Sequence, residues 1–198
     1  MSQTAASTTA QDEVRRSPRE RLLAAAGELF YAEGVQSVGI DRLIERAGVA
    51  RASLYSTFGS KEGLVRAYLD ERHDSILGRR RAAADRAPDP VSAILAVFDS
   101  LGRDFKRPDY NGCAFAGARA EEPAGGLVDE ATHAYREELR ALFRELCVKA
   151  GADDPDQLAW QLHLLYSGGA ESAKLDHEPG TAAAQRAAAE VLLKAALG

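Results

Sequence analysis

The 198-residue chain has two cysteines, one tryptophan and one methionine. Cys113 and Cys147 form neither a CxxC pair nor a Cys/His ligand set, and two thiols in a chain this size do not make a disulfide framework. A reducing, cytoplasmic setting is therefore expected, with no metal and no cofactor. Long apolar runs are absent as well, so no segment reads as a membrane span. The Ser/Thr/Ala/Gln-rich stretch from Met1 to Glu13 has no apolar centre and is not a signal peptide; with Arg15 and Arg16 it reads as a disordered basic tail, residues 1–16. A positive excess is missing too. With 25 Lys and Arg against 30 Asp and Glu, the net charge of -5 excludes blanket adhesion to nucleic acid. Alternating apolar and polar residues are lacking, and with them any convincing strand.

What remains is 45% hydrophobic, rich in Ala and Leu, with apolar residues recurring at helical spacing. That composition predicts an all-α fold. Charge is unevenly distributed: Arg15, Arg16, Arg19, Arg21, Arg42, Arg46, Arg51 and Lys61 mark the first third, whereas Glu121, Glu122, Asp129, Glu130, Asp153, Asp154 and Asp156 acidify the second half. One end of the molecule is suited to a polyanion, and any such contact must be local.

Ser17-Pro18-Arg19-Glu20 combines a capping Ser, Pro at the first helical position and a Glu that reaches back, so a helix starts there and ends at Gly34. A short helix follows with Ile40, Leu43, Ile44 and Ala47 on its inner face and Gly48 in the turn; a third runs from Ala50 to Thr57 on the anchors Leu54 and Phe58. Ser60 caps a longer connector helix, 61–81, whose Leu64, Val65, Tyr68, Leu69 and Ile76 face inward before Arg79, Arg80 and Arg81 emerge. Asp89-Pro90 and Asp154-Pro155 repeat the cap-plus-Pro signature, and further helices are expected over 113–120, 127–150 and 181–197. The predicted division is a helix-turn-helix unit over 17–63 and a larger helical body over 82–198.

A helix-turn-helix needs a supporting helix, a tight turn and a second helix whose outer face fits a major groove. Residues 40–58 meet that description, with Arg51, Ala52, Ser53, Tyr55, Ser56 and Thr57 facing outward. Arg51 can donate two hydrogen bonds to a guanine edge, while Ser53, Tyr55 and Lys61 can reach phosphates. The run Ala47-Gly48-Val49, Ser53-Leu54-Tyr55 and Phe58-Gly59-Ser60-Lys61-Glu62-Gly63-Leu64 resembles the DNA-binding domain of the TetR family, across Arg19 to Leu69. The resemblance implies phosphate contacts from Tyr55 and Lys61 and base reading by Arg51, Ala52 and Ser56. It further implies double-stranded operator DNA and a small-molecule effector as partners, and a homodimeric repressor reading a palindrome. Gly39 stands where a capping Ser or Thr is common, leaving only a backbone N–H contact, and Ala50 replaces a capping Ser at a typical loss of ~1 kcal/mol.

In the body, an effector site is expected among Phe98, Leu101, Phe105, Phe115, Tyr135, Leu142 and Trp160, with Asn111, His133 and His163 as hydrogen-bonding groups. The aromatic lining and the lack of clustered arginines favour a planar or lipophilic ligand over a sugar phosphate. Dimerisation is expected on the Ala/Leu-rich faces of 155–175 and 181–197. Two alternatives stand beside this reading. One is a small helical enzyme using Cys113 with His133 or His163, although nothing secures a base or an oxyanion site. The other is a DNA-binding protein without ligand control.

Overall fold

The computed structural model describes residues 16–122 and 125–198, and the expected tail, with Arg15, lies outside them except for Arg16. Among the described residues there are nine helices and no strand: α1 (Pro18–Glu33), α2 (Ile40–Ala47), α3 (Arg51–Phe58), α4 (Lys61–Ala84), α5 (Pro90–Phe105), α6 (Ala114–Glu121), α7 (Leu127–Lys149), α8 (Pro155–Leu175) and α9 (Thr181–Leu197). The all-α expectation is met.

The helix starts follow from local chemistry. Ser17 and Glu20 form a full capping box at α1, and the side chains of Ser60, Asp89 and Asp154 accept the N–H of the third residue of α4, α5 and α8. Gly48 ends α2 in the left-handed conformation at φ 63°, the turn that swings α3 across α2.

The first three helices form a head around Leu22, Ala26, Leu43 and Leu54, all fully buried. Arg21 ties this head to its own turn by donating to the Gly48 carbonyl at 2.9 Å. Helix α4 packs on α1 and α3 with Leu64, Tyr68 and Leu69, then runs on into the body against α5 and α7. It extends three residues past the expected connector, to Ala84. The body is a bundle of α5, α7, α8 and α9 with the short α6 against α7, and its centre is the aromatic triad Phe98, Phe143 and Tyr166, centroids 5.6–6.2 Å apart. One expectation fails here. Arg80 does not emerge into solvent; it is 1% exposed. Its three donor groups are each met: Nε by the Tyr166 hydroxyl, Nη1 by Ser100 Oγ and Nη2 by Asp104, so the charge is tolerated inside because it is both paired and hydrogen-bonded.

Candidate nucleic-acid interface and effector cavity

The outer face of α3 is built by the burial of its inner one. Leu54 is fully buried and Phe58 half-buried, which leaves Arg51, Ala52, Tyr55 and Ser56 exposed on the opposite side and Ser53 partly so. Neither Gly39 nor Ala50 offers a side-chain cap, so the first N–H groups of α2 and α3 are left for an outside acceptor, and helix N-termini carry partial positive charge. Lys61 lies at the start of α4 with Nζ 3.5 Å from the Gln36 carbonyl, beside the same face. Arg51 is held by the Asp41 carboxylate of α2, which favours its charged form.

The head and the body are joined by two clamps at the end of α1. Glu121, the last residue of α6, accepts the backbone N–H of Val35 at 3.1 Å and of Gln36 at 2.8 Å. Gly34 makes that approach possible: it sits at φ 94°, and a Cβ there would stand 2.4 Å from a Glu121 oxygen. On the other side, the Tyr31 hydroxyl accepts the Asn111 N–H and donates to the Gly112 carbonyl, and Asn111 Nδ2 donates to the Tyr31 carbonyl at 2.7 Å.

Behind these clamps lies a cavity of about 100 Å³ bounded by α1, α4, α5, α6, α7 and α8. Its lining mixes Ile76, Leu101 and Leu139 with Tyr31, Tyr110, Tyr135 and Tyr166. Five arginines reach it, Arg72, Arg79, Arg80, Arg107 and Arg136, against the carboxylates Asp104 and Glu171. His163 lines it while 1% exposed, and among the described residues neither of its ring nitrogens has a hydrogen-bond partner. Burial, aided by Arg136 and Arg140, lowers its pKa to about 4, so the ring is neutral at pH 7.

Residues 22–68 match the model of bacterial regulatory proteins of the tetR family. The crystal structure of a TetR-family transcriptional regulator from Streptomyces coelicolor superposes with a TM-score of 0.86 at 32% identity, over 91% of this chain and 96% of that one. A tetR-transcriptional regulator from Streptomyces avermitilis gives a TM-score of 0.82 at 34% identity, over 91% and 98%. The chain belongs to the TetR family. The transcriptional activator FasR of Mycolicibacterium smegmatis is 34% identical over 90 residues, 43% of this chain, which thus spans 41% of the length of that relative. As a TetR-family protein the chain is a transcriptional regulator with a DNA-binding helix-turn-helix, and its neighbours are regulators rather than enzymes.

The structure gathers the DNA-face residues predicted for this TetR-type head, Gly39, Arg51, Ala52, Ser53, Tyr55, Ser56 and Lys61, onto or beside α2 and α3. It divides the predicted effector residues. Leu101, Tyr135 and His163 line the cavity. Phe98 and Leu142 are buried between helices, Phe115 stacks flat on Tyr135 with centroids 4.2 Å apart, and Phe105 packs on Tyr110, so these four stand behind the lining. Asn111 serves the Tyr31 clamp. His133 is exposed on α7, and Trp160 is 38% exposed on α8, stacked on His163. The expected lack of clustered arginines is overturned: guanidinium groups far apart in sequence converge because α4, α7 and the loop after α5 meet at one place. Those arginines, with Tyr110 and Tyr166, are what sequence reasoning missed, since only packing brings them together. Cys113 also lines the cavity, with Arg136 near it, but burial outweighs that charge and raises the thiol pKa, which leaves the sulfur a poor nucleophile. Among the described residues no three His, Cys, Asp or Glu side chains form a metal-binding group, and no helix is long and apolar enough to cross a membrane.

Proposed function

We propose that this regulator is a homodimeric repressor whose hold on a palindromic operator is released by a small molecule bound in the body. The division of labour runs as the sequence suggests, with 17–63 as DNA-binding unit, the helix from 61 as connector and 82–198 as effector-binding and dimerisation unit. The observation that carries the reading is the pair of clamps on the end of α1. Tyr31 and Gly112 belong both to a clamp and to the cavity wall, and Glu121 reaches from α6 to the turn before α2. A ligand that shifts α6 or the loop before it therefore moves the head, a rigid-body change of the kind that alters half-site spacing.

Dimerisation is supported by apolar side chains left in solvent. Trp160, Leu164 and Leu175 on α8 fall on one helical face together with Gly168, and Val191 on α9 is 66% exposed. Such a patch suits a two-fold interface, which would set two α3 helices about 34 Å apart, one turn of DNA. On each head, Arg51, Ala52 and Ser56 face bases, and Ser53, Tyr55, Lys61 and the Gly39 backbone hold phosphates. The test is a gel shift on the DNA upstream of the chain's own gene, with sedimentation of the complex. Two protomers per shifted site and release by a body-bound compound are expected; a shift insensitive to every compound that binds the cavity would remove ligand control.

A further inference from the structure

We propose that the cavity selects a compact organic monocarboxylate, its acid group held by Arg136 and His163 and its short hydrocarbon body lying against Leu101, Tyr135 and Leu139. The inference rests on the ligand-controlled reading above and names the ligand class for that site.

Charge is the first argument. Of the five arginines, Arg107 is offset by Asp109 outside the wall, and Arg79 and Arg80 share Asp104. With Glu171 also counted, the lining keeps an excess of two positive charges. Such an excess in a partly desolvated space attracts an anion.

The state of each group is the second. Each of the three nitrogens of Arg80 is already engaged, Nε with Tyr166, Nη1 with Ser100 and Nη2 with the Asp104 carboxylate, which also offsets its charge. Arg72 is spread over the Tyr31 and Tyr68 rings and donates to the Gly27 carbonyl. Arg136 makes neither an ion pair nor a hydrogen bond from its side chain among the described residues, although Glu171 lines the same cavity. It lies close enough to His163 and Cys113 to bear on the charge of both. His163, buried with both nitrogens unpartnered, is costly to leave so, and a neutral imidazole has one N–H to give. A carboxylate has two oxygens, one for Arg136 and one for the His163 N–H. A cation would meet the arginine excess, and an apolar molecule would leave both His163 nitrogens unsatisfied.

Size is the third. At about 100 Å³ the space is smaller than the roughly 150 Å³ that accommodates benzene in a dry protein cavity. The hydrocarbon body is thus a few carbons long.

The full chain would be titrated with acetate, propionate, butyrate and hexanoate and with the corresponding primary amides, reading thermal midpoint and Trp160 fluorescence, since that indole stacks on His163. At least one acid should raise the midpoint and change the emission at a concentration at least tenfold below its amide. Arg136→Met, checked for unchanged helicity, should remove that preference, and Arg136→Lys should restore part of it. Amides binding as well as acids, no member of either series binding, or acid binding undiminished in Arg136→Met would each overturn the proposal. Operator affinity separates the two readings. Acid binding that needs Arg136 but leaves DNA affinity unchanged supports the anion site and overturns ligand control, whereas DNA release by neutral compounds alone does the reverse.

Discussion

The Glu121 carboxylate sits 2.8 Å from the backbone N–H of Gln36, so the last residue of α6 in the body caps the turn that leads into the DNA-binding helices. A hydrogen bond to a charged group contributes roughly 1.5–3 kcal/mol, and since the Val35 bond is part-buried and the Gln36 bond exposed, the pair together counts for about the lower figure. Glu121→Ala is expected to lower the thermal midpoint by roughly 3–6 °C. The more telling effect is on coupling. Cavity ligands should still bind the variant, judged by Trp160 fluorescence, while operator affinity measured by gel shift should respond to them much less than in the wild type.

Arg51 is paired with Asp41 rather than free, so reading a base requires exchanging one partner for another. Asp41→Asn removes a negative charge from the DNA side and releases the guanidinium; binding to all sequences should tighten, with a steeper dependence on salt. Arg51→Ala should instead relax preference at a single base pair by about 1–3 kcal/mol. Tyr55→Phe and Lys61→Ala should weaken every sequence alike, and Lys61→Ala should flatten the salt slope. Fluorescence anisotropy across a set of operator variants and salt concentrations distinguishes these outcomes.

His163 gives the body a defined acid sensitivity. Its pKa falls from 6.5 to about 4 on folding, through burial first and then Arg136 and Arg140 on α7; Arg80 and Asp104, with Glu171 and Tyr166 on its own helix, line the same cavity. The unfolded chain thus binds the extra proton between those values, and this contribution to stability, complete above pH 6.5, is lost as pH falls towards 4. His163→Gln cannot titrate. The difference in urea midpoint between wild type and variant should be constant above pH 7 and shift in favour of the variant from pH 6.5 down to 4; a pH-independent difference would contradict the neutral buried ring.

The exposed apolar side chains of α8 and α9 are where the proposed dimer is to be tested. Leu164 is 49% and Val191 66% exposed, whereas Leu165 and Leu192 point partly into the protomer's own packing. Leu164→Glu and Val191→Glu should give helical monomers in sedimentation velocity with operator affinity reduced at least a hundredfold, since one head must then bind alone. Leu165→Glu and Leu192→Glu should lower monomer stability as well.

Local chemistry alone determined the starts of α1, α5 and α8 and the outer face of α3: Ser17 with Glu20, Asp89 with Pro90 and Asp154 with Pro155 each act within one helical turn, and the spacing of Leu54 and Phe58 decides which residues of α3 face out. Nothing in such short-range patterns says which helices meet. Tertiary structure decided that Arg80 goes inside, because Tyr166, Ser100 and Asp104 arrive from α8 and α5 to satisfy it. It decided that Trp160 lies at the rim rather than in the core, one face stacked on His163 with Arg140 over the ring and 38% of it left exposed. And it turned an aromatic site read from side-chain size into one rimmed by guanidinium groups, since charge adds up over space, across helices remote in sequence, and not along the chain.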